Sequence, residues 1–183
     1  MATIKEETLH QFQKRTKPLV EDAINQRLDG DMKKNALNLV AFAKENKLNF
    51  TWGGTINTWK ATCKGKPICF IRIDTNYDEK QAWSAAVRLH HFREYENFIL
   101  GEGLQDEIFK NLSHCDCRPN KCGNAKVDTV FGKEITRCCY TLGFGSKEPN
   151  ETTVERIKWI LELEVNARRS LYGSHCNFNK NML

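Results

Sequence analysis

Eight cysteines stand in this 183-residue chain, and five of them lie between positions 115 and 139, as Cys115-Asp116-Cys117, Cys122 and Cys138-Cys139. Thiolates are soft donors, and a tetrahedral Zn²⁺ takes four of them at about 2.3 Å. A short knuckle plus a distant strand residue would supply Cys115, Cys117, Cys122 and Cys138, because Cys138 and Cys139 cannot both point to one face of a strand. The stretch also holds Pro119 and Gly123, so it reads as a loop that a structural zinc could order. The C-x-C and C-x₄-C spacings are looser than the paired C-x₂-C of zinc ribbons, and His114 is an alternative fourth ligand. Two other readings stand beside the metal. Cysteine is among the most buried residue types, and Cys63, Cys69 and Cys138 sit in strand patterns, as packed thiols would. A redox pair would need a thiol activated by Lys121 or Arg118, and no C-x-x-C motif supports it.

The tryptophans pose a second chemical question. Trp52, Trp59 and Trp83 fall in or beside strand patterns, and the last two share alternate positions with Ala61 and Ala85. Large beside small leaves room, and an apolar cleft walled by indoles is a usual form of a small-molecule site, so these three are the candidate ligand-binding residues. Plain core is the competing use of a strand tryptophan. For acid–base chemistry the chain offers His90-His91 and, shortly after, Glu94 and Glu96. Adjacent histidines on a strand end point apart, and no G-x-S-x-G, H-E-x-x-H, P-loop or dinucleotide fingerprint occurs, so whether the protein is an enzyme stays open.

The elements that must position these groups follow from periodicity. Leu9, Phe12, Leu19, Ala23 and Leu28 recur at helical spacing with Pro18 opening a second segment, and Met32, Ala36, Val40 and Ala43 form the stripe of a further helix after Gly30 and Asp31. From Asn49 the period changes to two. Trp59, Ala61 and Cys63 alternate with polar residues, the turn Lys64-Gly65-Lys66-Pro67 leads into Ile68 to Asp74, and this second strand reads as buried on both faces. A strand through Trp83, Ala85, Val87 and Leu89 follows, then a helix from about Phe92 that Gly101 and Gly103 break or bend, with Leu104, Ile108 and Leu112 continuing the apolar stripe. Val127 to Phe131 and Ile135 to Phe144 read as two more strands, and Thr152 with Glu155 makes a capping box for a helix carrying Val154, Ile157, Leu161 and Val165. The expected fold is α+β: an antiparallel sheet with helices packed on one side, built from an N-terminal helical segment over 1–48, an α+β domain over 49–173 and a tail over 174–183.

Composition narrows the class. With 40% hydrophobic and 28% charged residues the chain is that of a globular protein, and no run approaches the ~18 apolar residues of a membrane span. Lys5, Glu6 and Glu7 open it in place of an apolar signal segment, so a cytoplasmic location is expected, where a disulfide framework is unusual. The formal charge of +5 is mixed along the chain and no basic arm stands out, which argues against nucleic acid as a partner.

Between Trp59 and Arg169 a set of short motifs recurs in a known pattern: Lys64-Gly65-Lys66-Pro67-Ile68-Cys69-Phe70-Ile71, the segment from Cys115 to Gly123, Phe131-Gly132-Lys133-Glu134-Ile135 with Cys138, and Glu148-Pro149-Asn150. In these the chain resembles a family of small bacterial Cys-rich-loop domains, which looks related to the DNA gyrase inhibitor-like, effector-binding superfamily. In that family the Cys-rich loop usually runs on into Pro-Gly, whereas here Gly123 stands between Cys122 and Asn124. The resemblance implies a small-molecule-binding domain whose ligand, aromatic or cationic, sits in a cleft of an antiparallel sheet, and it carries over Cys115, Cys122 and Cys138 as motif positions. A small hydrolase or isomerase on the same fold, or a structural zinc protein meeting another protein, are the alternatives.

Overall fold

The computed structural model describes residues 7–75, 81–113, 126–137 and 142–171. Three helices come first, α1 (Leu9–Thr16), α2 (Val20–Arg27) and α3 (Gly30–Glu45). Four strands follow, β1 (Phe50–Trp52), β2 (Thr58–Cys63), β3 (Lys66–Thr75) and β4 (Gln81–Arg88). A 3₁₀ turn at Phe92–Glu94 leads to the short helices α4 (Glu96–Gly101) and α5 (Gln105–Lys110). The chain then runs through β5 (Leu112–Ser113), β6 (Lys126–Val130), β7 (Lys133–Arg137), β8 (Gly143–Lys147) and the long helix α6 (Glu151–Leu171).

The fold is α+β. Six strands form one antiparallel sheet in the order β1-β2-β3-β4-β8-β5, and β6-β7 is a separate hairpin. Alternation assigns the faces. Trp59, Ile71, Ile73, Trp83, Ala85, Val87 and Phe144 are all buried and share one face through the pairings Trp59↔Ile71↔Ala85, Ile73↔Trp83 and Val87↔Phe144. Helix α2 lies against β1 and β3, α6 crosses β3, β4 and β8, and α3 packs on α2 and α6, so these helices cover that face. Val20, Ile24, Leu39 and Val40 from the N-terminal helices and Ile157, Leu161 and Val165 from α6 join the sheet residues in one core. No helix among the described residues is long and apolar enough to cross a membrane.

Several expectations need correction. The strand expected over Ile135–Phe144 is two elements in different sheets, β7 and β8. The parity of its apolar positions marks the break, since Ile135 is odd and Leu142 and Phe144 are even, and one strand cannot keep both on one face. The helix expected from Phe92 begins instead as a 3₁₀ turn, and of the two outcomes expected at Gly101 and Gly103 it is the break that occurs, with Gly103 at φ +68 between two short helices. Strand β3, third of six, is buried on one face only: Phe70 is half-exposed and Arg72 exposed, although Ile68 is covered. Helix α6 is capped by Asn150, whose Oδ1 accepts from the Thr153 amide at 2.9 Å, because the helix starts at Glu151 and leaves Thr152 inside its first turn.

Candidate functional site

Helix α6 is amphipathic, and its two flanks do different things. The stripe Val154, Ile157, Leu161 and Val165 faces the sheet, while Glu155, Trp159 and Glu162, spaced by four and three, form the flank turned toward α3. Phe42 and Glu45, three apart on α3, face it across a groove of about 710 Å³, and Leu104 closes one end. That volume falls within the roughly 300–1,000 Å³ of small-molecule sites. The walls are aromatic: Trp159 and Phe42 are both half-buried, and Phe98 stands behind Trp159 with ring centroids 6.0 Å apart.

The rim is acidic. Glu45, Glu151, Glu155 and Glu162 line the groove against Arg156 and Lys158. Arg156 is paired with Glu107 at 2.6 Å. Lys158 is held by both Glu155 oxygens at 2.8 and 2.9 Å, and its ammonium lies 5.2 Å from the centroid of the Phe42 ring. An aromatic face and a carboxylate here already share one cation, which is the chemistry the groove offers an incoming one. Glu45 and Glu162 have no hydrogen-bond or ion-pair partner among the described residues, so the groove carries uncompensated negative potential.

A second polar cluster lies at the end of β4. Glu164 of α6 has no exposed surface, and its carboxylate accepts from the His90 amide (3.1 Å), the His91 amide (3.1 Å), His91 Nδ1 (2.7 Å) and the Tyr95 hydroxyl (3.1 Å). A carboxylate only accepts, so Nδ1 is the protonated nitrogen of His91. Burial, and then the neighbouring Glu164 charge, raise the Tyr95 phenol well above its ordinary range. His90 is pulled below its ordinary value chiefly by desolvation, with Arg168 and Arg88 adding to the effect. Arg168, one turn beyond Glu164, is 1% exposed, and its Nε and Nη1 have no hydrogen-bond partner among the described residues. With four donors filling its lone-pair sites, Glu164 is a tether that fixes the chain between β4 and α4 rather than a base with spare capacity.

Trp52, Trp59 and Trp83 all lie on the helix-covered face of the sheet, with Trp52 directly opposite Trp59 in the β1–β2 register. Trp59 and Trp83 share the helix-covered sheet face at 0% and 1% exposure, and Trp59 donates to the Pro18 carbonyl at 2.8 Å, so both are closed off from solvent as core. Trp52 is half-buried beside His10, with ring centroids 5.7 Å apart. The sheet thus does not bring the three indoles to one open cleft. Cys115, Cys117, Cys122 and Cys138, with Cys139 and His114, lie outside the described residues. Among the described residues no group of three or more His, Cys, Asp or Glu side chains could hold a metal. Cys63 and Cys69 are free, buried thiols. Sequence reasoning missed Trp159 and Glu164, though both signals were present: an indole flanked by glutamates at 155 and 162, and charged residues at 164 and 168 where the spacing 157, 161, 164, 168 calls for apolar ones. No family model, curated protein or solved structure matches the chain, so the resemblance drawn from its motifs is a reading of those residues alone.

Proposed function

We propose that this domain is a small-molecule-binding module whose ligand is an organic cation with an apolar or aromatic body, held in the groove between α3 and α6. One observation carries the reading: Lys158 already lies between the Phe42 ring and the Glu155 carboxylate, inside a groove of about 710 Å³ walled by Trp159. A ligand ammonium would take the same kind of place beside Glu162 or Glu45, with Trp159 contributing the stronger aromatic face. This keeps the ligand class expected from the sequence and moves its site from the strand tryptophans to α6.

The test is a thermal-shift and calorimetric comparison of benzyltrimethylammonium, tryptamine and benzoate. A compound at one hundred times its Kd stabilises the fold by about 2.7 kcal/mol. The two cations should raise the melting temperature and benzoate should not. Trp159→Leu and Glu162→Gln should each weaken cation binding about tenfold or more, and Glu162→Gln should leave the unliganded melt close to the parent. Equal response to the anion, or cation binding indifferent to both substitutions, would rule the groove out.

A further inference from the structure

The face of the sheet opposite the helices has the reverse character. Alternation places Thr58 and Lys60 of β2, Phe70 and Arg72 of β3, Ala82, Ser84, Ala86 and Arg88 of β4, and Gly145 and Lys147 of β8 on that side. Registers put them in two rows, Lys60↔Phe70↔Ala86↔Gly145 and Arg72↔Ser84↔Lys147. Every one of these positions is half-exposed or exposed. Of the acidic residues only Asp74 falls in this alternation on the four strands, against four cations. Arg88 lies over the Phe70 ring at 4.6 Å from its centroid, beside a floor of Ala86, Ser84 and Gly145.

We infer that this sheet face binds single-stranded nucleic acid. Lys60, Arg88 and Lys147 stand on β2, β4 and β8, which spans three strand spacings of about 4.8 Å each, too wide for one phosphate and suited to successive phosphates of a chain. The stacked Phe70–Arg88 pair and the small residues next to it provide a flat surface for unpaired bases, which stack on aromatic rings and guanidinium planes. A duplex fits poorly, because its major groove is read by an inserted helix or a two-stranded ribbon, and this is the broad face of a six-stranded sheet. The mixed net charge hides this patch, since the cations on the sheet face are offset in the sum by glutamates on the helical side.

The experiment is fluorescence anisotropy of end-labelled dT10 and U10 against the full chain from 25 to 200 mM salt. Three phosphate contacts predict a slope of log K against log salt near −2, about 0.7 per contact on a single strand. Lys147→Gln and Lys60→Gln should each lower affinity about three- to tenfold at low salt and flatten the slope by about 0.7. Phe70→Leu, which keeps an apolar side chain but removes the ring, should weaken binding without changing the slope. Arg27→Gln on α2, across the sheet, removes the same charge and should change affinity less than twofold. Far-ultraviolet dichroism and melts of each variant separate misfolding from lost contact. No binding at 25 mM salt, or binding untouched by the three sheet-face variants, overturns the inference. So does equal affinity for polyglutamate with no Phe70 effect, because that result would make the face a general polyanion surface.

Discussion

A carboxyl group with no exposed surface is tolerated only where its oxygens have donors, and those of Glu164 accept from two amides, an imidazole and a phenol. Glu164→Gln replaces one acceptor oxygen by an NH₂ group that faces donors. It should cost about 3 kcal/mol, the scale of breaking a buried charge-assisted network. Tyr95→Phe removes one donor of four and should cost about half as much. Denaturant midpoints at neutral pH check both, and losses below about 0.5 kcal/mol would show the cluster to be solvated. This residue was legible in principle, because Ile157, Leu161, Glu164 and Arg168 lie on one helical face and the last two break the apolar stripe. What was not legible is the partner set, since His91 and Tyr95 are about seventy positions away and only the fold brings them close. Trp159 was hidden for the same reason: Phe42, which completes its groove, belongs to a different helix.

At the scale of elements, local chemistry read well where the element decides its own structure. The β2–β3 hairpin with its Lys64-Gly65 turn, strand β4 and helix α6 all stand where alternation or helical period placed them. It read poorly where two elements must meet. At the β6–β7 turn Phe131 adopts φ +46, a costly conformation for a bulky residue, yet it is fully buried. Its ring packs on Phe92 with centroids 5.7 Å apart, and its amide donates to Glu96 at 2.6 Å, so the 3₁₀ turn and α4 hold the hairpin tip by offsetting the strain. Gly145 is the equivalent constraint inside the large sheet. A Cβ there would sit 2.6 Å from Ala86 Cα and closer still to the Ala85 carbonyl oxygen, both backbone atoms that cannot swing aside. Gly145→Ala should therefore push β8 from β4 and cost about 3 kcal/mol, the upper range for overpacking. It should also loosen the Glu148 amide from the Trp83 carbonyl, a bond that ties the end of β8 to β4, which hydrogen exchange at that amide would detect. A variant as stable as the parent, with that amide still protected, would mean that the two strands can separate without loss.

For the whole molecule the governing asymmetry is between two faces of one sheet: helices, core and an acidic groove on one side, a half-exposed basic surface on the other. The single core that joins them also sets how global stability depends on pH. Cys69 is fully buried in β3, and burial pushes its thiol up to about 12, while Tyr95 is raised well above its ordinary value. In the unfolded chain these groups release protons near 8.5 and 10, so at alkaline pH the native state binds more protons than the unfolded one. Stability is then fully present below about pH 8.5 and falls as pH rises, by up to about 1.4 kcal/mol per pH unit for each group that the unfolded chain has ionised and the fold has not. From pH 8 to 10.5 the thiol alone should remove about 2–3 kcal/mol. Urea unfolding across that interval tests the assignment when the parent is compared with Cys69→Ala, which keeps the small apolar character of the site and lacks the proton. The variant should begin somewhat less stable at pH 8 and lose about 2–3 kcal/mol less on the way to pH 10.5. Parallel curves for the two proteins would show that Cys69 ionises in the native state, and hence that the centre of the sheet admits water or a counter-charge.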